Sequence, residues 1–383
     1  MAQRLKTDWI LFVTVLGMVC FGVLLVYSSS SVMAKQDTRY GSAWYFVARQ
    51  AAWALVAVPV MMRLKKTPYR KFQDPTVAFN AVGVALLLLA LVYFLDTAHH
   101  RWLRIWGPFG VQPSELAKPV LVIFVAFFVT WRARAINNPR FTLVPAAGVV
   151  GFVILAVVVA DLGTAIVLGS AAAIVFFVAG LEWRYCAIVA AVAALGVLLF
   201  VIAEPYRLAR VVKFFDPQFK IISHFDPNGN IKKRMESSLA TRDTNYQLEQ
   251  SMIAVGAGGL VGLGPMDGKQ KSGYLPEAHT DFIYAVAAEE LGMIGSVGLL
   301  LCFLVIFWRG LRAAWRMYDD FGRYLALGMT AMVVVQALVN MSVVLGMIPT
   351  KGIPLPMISY GGSSLLSTLA SLGILMNVSE HAG

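Results

Sequence analysis

Ten runs of mostly apolar residues, each near the ~20 residues a helix needs to cross a bilayer, dictate the solvent this chain folds in. They lie at about 9–28, 43–62, 77–95, 114–131, 142–160, 162–180, 184–203, 281–308, 323–347 and 360–378. The stretch 141–180 is long enough for two helices, and Asp161 with Gly163 interrupts it midway, which predicts a tight turn there. The expected fold is an all-α polytopic membrane protein of ten transmembrane helices, with a large extracytoplasmic loop, 204–280, between the seventh and eighth. The whole of 1–383 reads as one membrane domain. With 58% hydrophobic and 14% charged residues, an ordinary soluble domain is excluded. Arg4 and Lys6 precede an apolar run that is too long for a signal-peptide core and lacks a small-residue cleavage site, so the first helix is expected to stay.

Charge sets the expected orientation. With the N-terminus in the cytoplasm, the short inner segments carry fifteen Lys and Arg and the short outer loops five, which predicts that both termini are cytoplasmic. The net charge of +11 then reflects inner loops and anionic membrane lipids rather than nucleic acid. Cys20, Cys186 and Cys302 sit in or beside apolar stretches, far apart, and suggest neither a disulfide framework nor a metal site.

Within the long loop, YRLARVVKFF at 206–215 spaces Arg207, Arg210 and Lys213 three residues apart with apolar residues on other faces, an amphipathic interfacial helix. Anchoring to headgroups and contact with a phosphorylated substrate fit it equally well. The segment 217–244, with DPNGN and KKR, reads as an exposed turn. Residues 246–260 form a helix too short to span, suited to lying on or dipping into the membrane surface. GAGGLVGLG has neither dinucleotide nor P-loop spacing.

Two longer motifs are more specific. YLPEAHTDFIYAVAAEELG at 274–292 and IPTKGIPLPMISYGGSS at 348–364 resemble, in order and spacing, the signatures of the SEDS peptidoglycan glycosyltransferases. RWLRIWGPFGVQPSELAK at 101–118, DLGT at 161–164 and EPYRLARV at 204–211 extend the resemblance over nearly the whole chain. EPYRLARV, PTKG and ISYGGSS look more like the division branch than the elongation branch. The resemblance implies a ten-helix enzyme of the bacterial inner membrane that polymerises lipid II into a growing glycan strand. It also implies a class B penicillin-binding transpeptidase and other division proteins as partners. The family's essential aspartate falls on Asp281 and its functional basic positions on Arg101, Lys118 and Lys351. The segment after Phe215 is longer and more charged than the family's usual loop.

The chemistry fits these residue types. A sugar hydroxyl must attack an anomeric carbon whose leaving group is a lipid pyrophosphate, and because pyrophosphate leaves without a proton, one carboxylate base suffices. Asp281 at the outer end of the eighth helix is the candidate, although Asp at a helix start is equally a common N-cap. Arg101, Lys351 and Arg104 are placed to stabilise pyrophosphate, with headgroup contact as the alternative. His279 lies two residues from Asp281 and is a candidate substrate contact. Lys118 and Glu115 share a helix face as an ion pair that either orients substrate or is structural. Glu289 and Glu290, ~12 to 14 Å deeper, read as interhelical hydrogen bonding before ion coupling. Asp161 reads as a helix cap. No protein metal site is recognisable: His99 and His100 lack acidic partners. A divalent cation, Mg or Mn, bridging Asp281 and pyrophosphate is chemically reasonable. A lipid II transporter, using Glu115, Lys118, Glu289 and Glu290 as a polar path, and a non-catalytic division scaffold are the rival readings.

Overall fold

The structure, a computed structural model, describes residues 7–38, 40–96, 101–106, 109–203, 205–216, 244–271, 273–350 and 352–382. Lys351, His99, His100 and all but the last residue of the expected turn at 217–244 therefore lie outside the described residues, as does the Arg104 side chain.

The apolar runs become helices α1 (Trp9–Gln36), α2 (Tyr45–Lys65), α3 (Pro75–Leu95), α4 (Pro113–Trp131), α5 (Val144–Ala160), α6 (Leu162–Val178) and α7 (Trp183–Ile202). After a short α8 (Pro205–Phe215) and α9 (Thr244–Gly258) come α10 (Ile283–Arg316), α11 (Asp320–Val344) and α12 (Gly362–His381). Among the described residues nine spans are long and apolar enough to cross a membrane, α5 being counted with the π-helical turn that leads into it as Pro139–Val158, and α6, at 17 residues, is a shorter tenth apolar helix. The turn expected at Asp161 is present: α5 ends there, and the Asp161 carboxylate caps α6 by accepting from the Gly163 N–H at 2.9 Å.

The helices sort by burial. Most of α4, α11 and α12 is buried, whereas no residue of α7 is, so the first three form the centre and α7 is a peripheral span. Close approach at the centre needs small residues: a Cβ on Gly373 of α12 would strike the Met61 backbone of α2. At one end of the bundle both termini meet. Asp8 caps α1, pairs with Arg309 of α10 at 2.8 Å and accepts from Ser379 of α12, while Glu380 pairs with Lys65 of α2 at 3.1 Å.

Two features depart from the simple helical reading. Residues 101–111, expected as a loop, include an antiparallel hairpin, β1 (Leu103–Trp106) with β2 (Phe109–Val111). It is seated on α12 through Ser363, which accepts from the Gln112 N–H at 3.0 Å and donates to the Gly110 carbonyl. The expected eighth span, 281–308, starts two residues later, runs on to Arg316 and breaks at Gly292, whose φ of 65° and ψ of −161° are not helical. A break inside a membrane frees backbone groups that must find partners. Here the chain after α9 supplies them: Leu263 and Gly264 N–H donate to the carbonyls of Glu289 and Glu290, and Met293 and Ile294 N–H donate to those of Gly259 and Leu260. The approach is tight enough that a Cβ on Gly262 would collide with the Glu290 carbonyl, and one on Gly292 with the Leu260 carbonyl.

Candidate active site

The two long motifs, about 70 residues apart in sequence, fold onto each other. Three successive carbonyls of the first are held by the second and by α11. His279 accepts from the Tyr360 N–H at 2.9 Å, Thr280 from the Ser359 hydroxyl at 2.6 Å, and Asp281 from the Asn340 side-chain amide at 2.8 Å. The same Asn340 amide donates at 2.7 Å to the Ile353 carbonyl, so one side chain ties the Asp281 backbone to the loop before α12. Gly352 lies against the Asp281 carboxylate: a Cβ there would sit 2.7 Å from Oδ2.

Asp281 therefore sits two residues before α10, on a backbone pinned from three sides, and the residue is partly exposed. It is not the N-cap of α10; Phe282 holds that position, and no side-chain cap bond is made. Burial raises the Asp281 carboxyl to a pKa of about 7, with repulsion from Glu277 adding to it, Arg101 opposing and Asp161 adding a little. The carboxylates of Glu277 and Asp161 and the guanidinium of Arg101 thus share its field. No cation lies within ion-pair distance of Asp281 among the described residues.

Arg101 is placed by its own backbone N–H on Asp96 at 3.0 Å and by a 3.4 Å contact between its guanidinium and the Asp161 carboxylate. Asp161 is thus both the helix cap expected from sequence and the group that aims Arg101. Arg210 of α8 donates to the Thr350 carbonyl at 2.7 Å, which fastens the amphipathic helix to the loop carrying Gly352 and Ile353. Arg207 is turned away: its guanidinium lies 3.8 Å over the Phe200 ring and donates to the Phe200 carbonyl.

The structure does not bring His279, Lys118 or Glu115 to the carboxylate. The His279 ring packs 4.5 Å from Phe46 and 5.6 Å from Tyr360, and this burial lowers its pKa, which disfavours a charged imidazolium there. Lys118 and Glu115 form the expected i,i+3 pair, at 2.6 Å, with both side chains only 2% exposed. They reach the site indirectly. Lys118 donates to Gln336 at 2.7 Å, and Gln336 donates to the Pro354 carbonyl at 2.8 Å. Gln336 and Asn340, one turn apart on α11, are the contacts that sequence reasoning missed; their spacing was legible, but an amide on an apolar helix does not reveal its partner.

Glu277 was also missed. It is exposed and holds a left-handed backbone, φ 53°, which is uncommon for a non-glycine residue and often marks a functional turn. The described residues hold no group of three or more His, Cys, Asp or Glu able to ligate a metal.

An integral membrane protein with a pinned, partly exposed aspartate at one end of its bundle is the class that fold and site define. The model of the FtsW/RodA/SpoVE family of cell cycle proteins matches residues 8–383, and the chain belongs to that family. Among curated relatives, the probable peptidoglycan glycosyltransferase FtsW of Geobacter sulfurreducens is 37% identical, covering 98% of this chain and 96% of its own. Stage V sporulation protein E of Bacillus subtilis is 33% identical over 99% of both. Among solved structures, a chain from a peptidoglycan synthase complex that coordinates polymerization and crosslinking superposes with a TM-score of 0.74 at 27% identity, covering 99% of each chain. The rod shape determining protein RodA of Thermus thermophilus gives 0.64 at 26%, covering 98% of this chain and 97% of its own.

Proposed function

We propose that this protein is a peptidoglycan glycosyltransferase that polymerises lipid II into glycan strands during cell division, with Asp281 as general base. The observation that carries the reading is the Asp281 carboxylate itself. It is rigidly positioned, partly exposed, free of an ion pair among the described residues and tuned close to neutral pH, as a base serving a sugar hydroxyl needs to be. Asp281 takes the proton of the acceptor hydroxyl as its oxygen bonds to the anomeric carbon; the bond from that carbon to the pyrophosphate breaks on the opposite side, and the configuration inverts. Arg101, and Lys351 as the family resemblance implies, stabilise the charge that builds on the departing pyrophosphate. Arg210 supports that loop through its backbone, and the buried Glu115–Lys118 pair supports it through Gln336. A Mg or Mn ion would be held by the Asp281 carboxylate, which lies in the field of Glu277, and would neutralise charge on the departing pyrophosphate.

The charge asymmetry of the loops supports cytoplasmic termini and a periplasmic Asp281 end, in the bacterial inner membrane. A class B penicillin-binding transpeptidase is the expected partner, supported by the likeness to a chain of a peptidoglycan synthase complex. The transporter reading loses its motivation, because its four intramembrane charges are engaged. Lys118 holds Glu115, Lys271 holds Glu290 at 2.5 Å, and Glu289 accepts the N–H groups of Lys269 and Gln270.

The test is polymerisation of purified lipid II by wild type and Asp281→Asn, with and without the cognate transpeptidase. We expect glycan strands from the wild type and, at equal membrane insertion, a loss of ~100-fold or more in the variant. Undiminished polymerisation by Asp281→Asn would overturn the assignment.

A further inference from the structure

At the opposite end of α10 from Asp281 the helix presents a second concentration of charge that plays no part in the chemistry above. Trp308, Arg312, Trp315 and Arg316 fall at spacings of four, seven and eight residues, on one face of the helix, and line a cavity of about 260 Å³. A smaller hollow of about 50 Å³ shares Arg312 and Arg316 and adds Arg309, Asp8 and Ser379. The carboxylate in it is already committed: Asp8 accepts from the Leu11 N–H, Arg309 and Ser379. Arg309 is thereby neutralised. Arg312 and Arg316 make no ion pair with an acid among the described residues, so their charges add without a countercharge.

We infer that this end of α10 binds the phosphate of an anionic phospholipid headgroup. Two adjacent guanidinium groups offer a fork of donors suited to a phosphodiester. The rest of the lining selects a lipid over free phosphate. Trp308 and Trp315 are 59% and 70% exposed, and indoles at a membrane boundary lie where glycerol and upper acyl groups meet headgroups. A soluble anion would gain nothing from two exposed tryptophans, whereas a phospholipid occupies the apolar and cationic parts of the cavity together. The site also sits where α1, α10 and α12 are joined through Asp8, Arg309 and Ser379, so a bound headgroup would brace that joint.

The experiment uses the full chain in detergent, titrated with phosphatidylglycerol and followed by native mass spectrometry and thermal melting. The wild type should retain phosphatidylglycerol and melt higher with it, while phosphatidylcholine and inorganic phosphate do neither. The double variant R312Q/R316Q should lose affinity roughly tenfold or more. R312K/R316K should keep part of the affinity, which separates loss of charge from misfolding. R134Q/R184Q, which removes equal charge from the α4–α5 connection and the first turn of α7 at the same end, should match the wild type. Equal weakening by R134Q/R184Q would reduce the effect to general surface charge and overturn the site. Stabilisation by inorganic phosphate as strong as by phosphatidylglycerol would overturn the lipid assignment.

Discussion

Two acidic positions little more than two turns apart at the start of α10 have opposite fates. Glu290 is 3% exposed and locked between Lys271 and the Ser28 hydroxyl of α1, each at 2.5 Å, while Lys271 also donates to Ser28 at 2.9 Å. Asp281 is partly exposed, has no cation at ion-pair distance among the described residues, and is pinned by its backbone rather than its carboxylate. A buried charge inside a membrane protein is tolerable only when paired and hydrogen-bonded, and pairing removes its basicity and its access to substrate. Asp281 keeps both because the surrounding hydrogen bonds fall on the carbonyls of 279–281 and leave its oxygens without a hydrogen-bond partner among the described residues.

Exchanging the two fates is the most direct way to break that contrast. Asp281→Asn, expected to cut polymerisation ~100-fold or more, should not destabilise the protein. A carboxyl whose folded pKa is about 7, above the ~3.9 of an unfolded chain, contributes stability below the lower value that is lost as pH rises through the upper one. The amide removes that loss, so melting measured at pH 8 should place Asp281→Asn at or above the wild type. Glu290→Gln and Lys271→Met should do the reverse, each leaving a buried charge unpaired at a cost of about 3 to 5 kcal/mol. The double variant should recover much of that melting temperature, because the pair vanishes together. If both single variants melt like the wild type, the Lys271–Glu290 contact is not a structural lock.

Smaller effects sharpen the site itself. Asn340→Ala removes the donor shared by the Asp281 and Ile353 carbonyls, and a fall in kcat of roughly tenfold with KM little changed is expected if the amide only positions the base. A change confined to KM would argue against that role. The mildest perturbation is pH: kcat/KM for polymerisation should rise as pH passes through about 7, where Asp281 ionises. A midpoint in the ordinary carboxylate range near 4 would remove the case for a tuned base.

Much of this was legible from residue order because it depends on local spacing. A run of apolar residues announces a span, Asp before Leu-Gly-Thr announces the α6 cap, and Glu115 with Lys118 announces an i,i+3 pair; all three stand in the structure. The two long motifs carried the family resemblance and pointed to Asp281, and RWLRIWGPFGVQPSELAK at 101–118 pointed to Arg101. Other side chains make contacts that their spacing did not announce. Arg207 lies on Phe200 and His279 lies against Phe46, because side-chain direction in a loop or interfacial helix depends on whichever ring happens to be adjacent.

Helix content and the apolar spans followed from patterns a few residues long, since helical geometry relates neighbours by fixed rise and rotation, whereas Asp281 was singled out by the family resemblance. Folding alone joined Ser28 to Lys271, Lys118 to Gln336, Asn340 to Asp281 and Gly262 to the break at Gly292. These contacts join groups from about 30 to more than 240 residues apart, and no local rule relates such residues. They form because backbone groups and charges taken out of water must each find a partner, and only the packed helices determine which partner is within reach.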